Sequence, residues 1–204
     1  GETSDNTTSQ AFTVTVGPVN DTPALVTTGA QSTDEDTPLT VTVTAPDADG
    51  DTVTFTAVSD NTDVVVTLAN EASTSVDLTM TPTADYNGSA DITVTADDGT
   101  GEDNATAAET FTLTVDAVND APVADALSVA TSEDVTVNIT LTASDVDGDA
   151  LTYTVASQPS EGTLTGTAPS LTYAPDAQFN GSDSFTLTVN DGTVDSSPAT
   201  VAIA

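Results

Sequence analysis

Phe185-Thr186-Leu187-Thr188-Val189 is a stretch in which apolar and threonine side chains alternate along the whole length. Successive side chains of a β-strand point to opposite faces, so the pattern predicts a strand with one buried and one hydrated face. The same alternation recurs at 39–43, 53–57, 92–96, 111–115, 135–141 and 151–155. About seven short strands per hundred residues, with no helical period, predict an all-β chain of immunoglobulin-like β-sandwiches.

Two blocks of sequence each occur twice. Val19-Asn20-Asp21-Thr22-Pro23 returns as Val118-Asn119-Asp120-Ala121-Pro122, and Asp47-Ala48-Asp49-Gly50-Asp51 returns as Asp145-Val146-Asp147-Gly148-Asp149. The two blocks occur in the same order both times, and the second copy of each block lies about one hundred residues after the first. We therefore predict two tandem sandwiches end to end, at residues 20–117 and 118–204.

Residues 1–19 do not belong to either predicted repeat. Phe12-Thr13-Val14-Thr15-Val16 matches Phe111-Thr112-Leu113-Thr114-Val115, the last strand of the first repeat. We therefore assign 1–19 to the last strand of a preceding repeat and expect the chain to be an internal piece of a longer protein. In the alternative interpretation, residues 11–16 complete the sandwich of another copy by strand exchange, which would make the protein a fibre subunit.

The charge of the chain is extreme, with 33 acidic residues, no Lys, Arg or His, and a net charge of −33. Such a surface repels nucleic acid and anionic membranes, so we exclude both as partners. The longest apolar runs are far too short to insert into a membrane. The chain has no Cys, so we expect bound metal rather than disulfides to supply extra stability.

The acidic residues cluster in the repeated Asp-x-Asp-Gly-Asp blocks, where no internal cation can offset their repulsion. Oxygen ligands set this closely favour a hard divalent cation, Ca²⁺ first. The blocks are not EF-hand loops, because glycine falls at the fourth rather than the sixth position and no Glu follows at the twelfth. An Asp- and Gly-rich turn without metal is the alternative.

The order of the acidic motifs resembles that of cadherin repeats. These carry a Glu near the first strand, an Asp-x-Asp motif, an Asp-x-Gly after a late strand, and an Asp-x-Asn-Asp-x-Ala-Pro linker. The corresponding segments here are 33–38, 47–49, 95–99 and 116–122, with 133–134, 145–147 and 190–192 in the second repeat. The stretch 179–189 is similar to the bacterial cadherin-like repeats of giant calcium-dependent surface adhesins.

This resemblance implies Ca²⁺ sites where repeats join. At the central junction the implied ligands are Glu35, Asp85, Asp116, Asn119, Asp120, Asp145, Asp147 and Asp191. At the first junction they are Asn20, Asp21, Asp47, Asp49 and either Asp97 or Asp98. Glu133 and Asp134 would serve a junction to a following repeat. We expect weaker binding at the first junction, because Gly17 stands where the second linker has Asp116.

The residue types present argue against catalysis. The chain has no His or Cys to act as base or nucleophile, and its carboxylates lie in repeated loops rather than in one cleft, so we predict that it is not an enzyme. We expect the aromatic residues to be core or corner residues rather than a sugar-stacking surface; they are Phe12, Phe55, Tyr86, Phe111, Tyr153, Tyr173, Phe179 and Phe185.

We predict extracellular, cell-surface spacer repeats, anchored through other parts of the parent protein, that extend a bacterial adhesin and are made rigid by Ca²⁺. Their partners would be neighbouring repeats. A direct adhesive module, homophilic or glycan-binding, is a second alternative beside the fibre subunit.

Overall fold

The computed structural model describes residues 1, 8–17, 19–26, 28–102 and 105–204. These residues form sixteen β-strands and no helix, which confirms the predicted all-β class. The chain divides into two compact units, Gly1–Ala117 and Val118–Ala204. The boundary between the units falls between Ala117 and Val118.

Unit 1 is a sandwich of two sheets. Its strands are β1 (Gln31–Asp34), β2 (Leu39–Thr44), β3 (Thr54–Ser59), β4 (Val64–Ala72), β5 (Ser75–Pro82), β6 (Gly88–Asp97) and β7 (Thr106–Asp116). One sheet has the order β1-β7-β6-β3 and the other β2-β5-β4. Strand β1 pairs parallel to β7, and all other neighbours are antiparallel.

Unit 2 repeats this arrangement. Its strands are β8 (Val123–Ala124), β9 (Leu127–Val129), β10 (Val137–Thr140), β11 (Ala143–Ser144), β12 (Thr152–Ser157), β13 (Gly162–Thr167), β14 (Ser170–Pro175), β15 (Asp183–Asn190) and β16 (Ala199–Ile203). The sheets are β9-β16-β15-β12 and β10-β14-β13, with a short β8–β11 ribbon. Among the described residues of unit 1, a bridge between Val26 and Thr44 takes the place of this ribbon.

The core of each unit consists of the apolar side chains of the alternating strands. In unit 1, Leu78, Ile92 and Leu113 are fully buried, and in unit 2 Phe185 and Leu187 are equally buried. The strand expected at 135–141 is shorter than predicted, because the N–H of Val135 is bonded to the carbonyl of Ser132 in a turn. Alternation therefore identified the buried face correctly but overestimated the length of the strand.

Residues 8–17 form no strand in the described chain. Phe12, Val14 and Val16 are 85, 71 and 87% exposed, so our expectation that Phe12 is a core residue is wrong. A strand needs a partner for its backbone groups, and no described residue supplies one here. The assignment of this segment to a preceding repeat stays a prediction.

Candidate metal centres

The Asp47–Asp51 loop follows β2 and precedes β3 in unit 1. The Asp47 carboxylate folds back on this loop, where its Oδ1 accepts the backbone N–H groups of Asp49 at 2.9 Å, Gly50 at 3.1 Å and Asp51 at 3.2 Å. Gly50 has φ +85°, a left-handed conformation that glycine adopts without steric cost. The three hydrogen bonds to Oδ1 of Asp47 thus hold the loop in its folded shape.

In each unit the folded loop gathers three carboxylates. Single oxygens of Asp47, Asp49 and Asp51 lie within 4.8 Å of one another, and so do those of Asp145, Asp147 and Asp149. Unscreened negative charges this close repel, and the chain contains no Lys, Arg or His to neutralise them. The arrangement therefore favours binding of a cation.

One carboxylate oxygen in each loop lacks a hydrogen bond. Oδ2 of Asp47 and Oδ2 of Asp145 are buried from solvent and accept no hydrogen bond from the described residues. Leaving a buried polar atom unpaired costs roughly 1–3 kcal/mol, and more when it is charged. A cation bound at these oxygens would remove this cost.

In unit 1, Asn20 and Asp21 are hydrogen-bonded to the residue after β6 and to the Asp47–Asp51 loop. Asn20 donates its Nδ2–H to Oδ2 of Asp98 at 2.8 Å, and the N–H of Asp21 is bonded to Oδ2 of Asp49 at 2.7 Å. Because Asp98 directly follows β6, three segments that are distant in sequence converge at one end of the sandwich.

Unit 2 repeats these contacts with the equivalent residues. Asn119 donates to Oδ2 of Asp191 at 2.9 Å, and the N–H of Asp120 is bonded to Oδ2 of Asp147 at 2.8 Å. Oδ1 of Asp145 again accepts a backbone N–H from within its own loop, that of Asp149, at 3.2 Å. The same hydrogen-bond network therefore occurs at the same place in both units.

The carboxylates that the linker asparagines contact are stabilised in their charged form. The Asn20 side chain, followed by the N–H of Thr100, holds the pKa of Asp98 below its usual value. In unit 2 the Asn119 side chain, followed by the N–H of Val194, lowers the pKa of Asp191 in the same way. Both groups are thus negatively charged at neutral pH and could act as ligands or as supports for ligands.

A second group of acidic residues lies at the opposite end of unit 1, before β2 and after β5. The N–H of Glu35 is bonded to the carbonyl of Asp116, and the N–H of Asp85 is bonded to Oδ1 of Asp36 at 3.2 Å. Glu35 is only 4% exposed. The Glu35 end, which we define as Glu35, Asp36, Asp85 and Asp116, therefore holds several of the carboxylates predicted for the central junction.

The matching end of unit 2 keeps the turn but carries fewer charges. The N–H of Gln178 is bonded to Oδ1 of Asp134 at 3.1 Å, as the N–H of Asp85 is to Asp36 in unit 1. Gln178 and Asp85 have nearly the same positive φ, 60° and 58°. The backbone conformation is thus the same in both units, while the amide of Gln178 replaces the carboxylate of Asp85. Glu133, next to Asp134 in sequence, is exposed.

The structure brings most of the predicted ligands together within each unit. Of the two alternatives at the first junction, Asp98 contacts the linker asparagine, whereas Asp97 accepts the N–H of Gly99 instead. Our predicted ligand set omitted Asp51 and Asp149, although both end the repeated Asp-x-Asp-Gly-Asp block and could have been found from it. Whether residues of the two units share ions stays a prediction.

The family comparison covers nearly the whole chain. The bacterial Ig domain family matches residues 20–115 and again residues 119–204. The chain belongs to the bacterial Ig domain family. The match confirms the expected tandem Ig-like repeats, and domains of this family are typically non-catalytic and extracellular or at the cell surface.

Solved structures with a similar fold come from proteins of different kinds. An endo-fucoidan hydrolase of glycoside hydrolase family 107 is 24% identical over 93% of this chain and 29% of its own, with a TM-score of 0.44. Domains 5–6 of the S-layer protein SbsC are 20% identical over 92% and 98% of the two chains, with a TM-score of 0.37. Chicken VE-cadherin EC1-2 is 18% identical over 86% and 96%, with a TM-score of 0.36.

This chain covers about three tenths of the length of the hydrolase chain that it matches. No curated protein matches the sequence. No helix in the described part of the chain is long and apolar enough to cross a membrane.

Proposed function

We propose that these bacterial Ig repeats are Ca²⁺-stiffened spacers of a long extracellular adhesin, which project another region of the parent protein from the cell. The observation that carries the proposal is the duplicated acidic loop. In both copies, three carboxylates converge and one buried oxygen accepts no hydrogen bond from the described residues. Carboxylate oxygens are the ligands that Ca²⁺ prefers.

The residues present fit a bound Ca²⁺. Asp47, Asp49 and Asp51 would hold an ion in unit 1, and Asp145, Asp147 and Asp149 would do so in unit 2. Ca²⁺ takes six to eight oxygen ligands, so a complete site needs further oxygens from water, backbone carbonyls or neighbouring acidic residues. The resemblance to cadherin repeats suggests Glu35, Asp85 and Asp116 as such donors across the central junction.

Stiffening follows from electrostatics. Without metal, carboxylates gathered at the end of a unit repel each other and any acidic neighbour. With metal, the same oxygens become ligands of one ion, and the chain segments that carry them are held together. The linker between the last strand of unit 1 and Pro122 is short, so little free chain remains to flex once its acidic residues are bound.

Direct glycan binding receives less support from the described residues. A sugar-stacking surface needs exposed aromatic rings, and Phe12 is the one large aromatic side chain found mostly exposed among them. Strand exchange receives little support as well. Both units already contain their own last strand, β7 and β16, and so offer no vacant position for residues 11–16.

The proposal is tested by calorimetric Ca²⁺ titration of the chain. We expect dissociation constants of roughly 0.1–1 mM, typical of extracellular modules, and loss of one site in each of Asp47→Asn and Asp145→Asn. Glu71→Gln and Asp176→Asn, which each remove one exposed charge elsewhere in unit 1 and unit 2, should leave the stoichiometry unchanged. An unaltered stoichiometry in both loop variants would reject the assignment.

A further inference from the structure

Each unit carries the tripeptide Asn-Gly-Ser directly after an aromatic residue. In unit 1 the stretch is Tyr86-Asn87-Gly88-Ser89, and in unit 2 it is Phe179-Asn180-Gly181-Ser182. The tripeptide leads into β6 in unit 1 and into β15 in unit 2. Neither asparagine belongs to the candidate metal centres.

These two asparagines differ from the others in what their side chains contact. Asn87 and Asn180 are exposed, and the side-chain amide of neither one is hydrogen-bonded to a residue that the structure describes. Every other described asparagine has a side-chain hydrogen bond; these residues are Asn20, Asn61, Asn70, Asn119, Asn138 and Asn190. The amides of Asn87 and Asn180 can therefore rotate toward their own backbone.

The residue after each of these asparagines is a glycine that the fold requires. Gly88 and Gly181 both have φ +148°, a conformation that residues with a side chain rarely adopt. A Cβ atom on Gly88 would lie 2.7 Å from the hydroxyl oxygen of Tyr86, and one on Gly181 would lie 3.3 Å from Cζ of Phe179. Because glycine has no Cβ atom, its backbone nitrogen is open to approach by the preceding side chain.

In unit 1 a hydroxyl group bridges across the tripeptide. Tyr86 donates its Oη–H to the carbonyl of Ser89 at 3.0 Å, and Asn61 donates its Nδ2–H to the same hydroxyl oxygen at 2.7 Å. Phe179, which takes the place of Tyr86 in unit 2, has no hydroxyl group. In addition, β6 begins within the tripeptide of unit 1, whereas β15 begins after that of unit 2. The tripeptide of unit 1 is thus held more firmly, which opposes local opening of its backbone.

We propose that Asn87 and Asn180 are sites of spontaneous deamidation, and that Asn180 reacts first. The glycine nitrogen attacks Cγ of the asparagine, and the new N–C bond closes a succinimide ring. The Cγ–Nδ2 bond breaks, and Nδ2 leaves as ammonia with the proton that the glycine N–H gives up. Water then opens the ring at Cγ, which gives Asp, or at the main-chain carbonyl, which gives isoaspartate. Water oxygen replaces the amide nitrogen, and nothing is oxidised or reduced.

The product carries a carboxylate in place of a neutral amide. Each reaction therefore adds one negative charge to a chain of net charge −33. In each unit the new charge falls shortly after the positive-φ residue of the acidic turn, which is Asp85 or Gln178. The reaction consumes water and needs no metal, so this proposal does not rest on the spacer function.

Peptide mapping of the full chain tests the proposal. The protein is incubated at mildly alkaline pH, where more of the glycine N–H is deprotonated, and digested with pepsin in acid, since it has no Lys or Arg for trypsin. Mass spectrometry then quantifies Asp and isoaspartate at each site. We expect product to form several-fold faster at Asn180 than at Asn87, and more slowly still at Asn138, an exposed strand residue followed by isoleucine. Equal rates at Asn87 and Asn180, including no reaction at either, would overturn the proposal.

The denatured chain supplies the matched control. Both sites have the local sequence Asn-Gly-Ser, so their rates should be nearly equal in denaturant, and a difference in the folded chain then reports on structure. Tyr86→Phe removes the bridging hydroxyl and should raise the rate at Asn87 several-fold without changing the rate at Asn180. Circular dichroism checks that the variant is folded, and an unchanged rate at Asn87 in the folded variant would refute the protective bridge. If the variant does not fold, the folded and denatured rates of the wild type decide the proposal.

Discussion

At the residue scale, the least expected group is the carboxylate of Asp183, which is 8% exposed at the start of β15. It accepts N–H groups of Ser160 at 3.0 Å, Glu161 at 3.0 Å and Ser184 at 2.8 Å, and the Tyr173 hydroxyl at 2.8 Å. Burial opposes its ionisation, but these donors outweigh burial and hold its pKa below the usual value. The carboxylate thus ties the loop before β13 to the core.

Asp183→Asn should destabilise unit 2. An amide accepts hydrogen bonds at only one of its two ends, so some of the four donors lose their partner at a cost of roughly 1–3 kcal/mol each. Hydrogen exchange of the full chain should show faster exchange in unit 2 and unchanged exchange in unit 1, where Ala90 occupies the matching position. Asp176→Asn, an exposed change, serves as control, and unchanged protection in Asp183→Asn would contradict this role.

The hydrogen-bonded pair of Asp183 and Tyr173 should make the stability of unit 2 depend on pH. A lowered pKa means that Asp183 stabilises unit 2 above the unfolded value of about 3.9, and that this stability is lost as pH falls through the folded pKa. Burial and then the Asp183 carboxylate raise the pKa of Tyr173 to about 12, so a second loss is expected from about pH 10 upward. Thermal unfolding of Asp183→Asn should show a smaller loss of stability in acid than wild type, and an identical acid profile would contradict the assignment.

The sequence indicates which residue types form the acidic groups better than it indicates which side chains contact each other. The repeated blocks indicated Asn20, Asp49 and their copies, which lie in one hydrogen-bond network in each unit, because close acidic spacing is visible in the sequence. They could not select Asp98 over Asp97, since that depends on which side chain faces the linker at the end of β6. Asp183 was missed, because a single acidic residue at the start of an alternating strand has the pattern of a solvated one.

At the element scale, alternation of apolar residues and threonine was sufficient to predict the two sandwiches. It could not predict how the first strand of unit 2 divides into β8 and β9, because each piece has only two or three residues. The division depends on which sheet each piece can pair with. The two acidic groups of unit 1 lie at opposite ends of the sandwich, because β2 runs along the sheet between Glu35 and Asp47.

One element-scale prediction concerns the packing of β13 on β14. A Cβ atom added to Gly162 would overlap the phenol group of the buried Tyr173, so the side chain or the strand would have to shift. Gly162→Ala should therefore cost about 1–3 kcal/mol, the usual range for overpacking. Chemical denaturation of unit 2 checks it, with Gly17→Ala as control because no atom lies within 4 Å there. A neutral Gly162→Ala would show that the ring can move.

At the scale of the whole molecule, composition determines the conditions under which the repeats work. A chain with 33 acidic residues and no basic side chain cannot neutralise its own charge, so its stability should depend on ions from the medium. At a hundredfold excess over the dissociation constant, each independent Ca²⁺ site adds about 2.7 kcal/mol. Two such sites would be comparable to the stability of a small domain, about 5–15 kcal/mol.

The central claim is that Ca²⁺ makes tandem repeats rigid, and small-angle X-ray scattering tests it most directly. The full chain is measured with excess Ca²⁺ and with chelator at matched ionic strength, with the Asp145→Asn variant alongside. If Ca²⁺ stiffens the repeats, wild type is a longer, rigid particle with Ca²⁺ and a shorter, flexible average without it, and the difference is smaller in the variant. Wild-type curves that overlay in the two conditions would contradict the account.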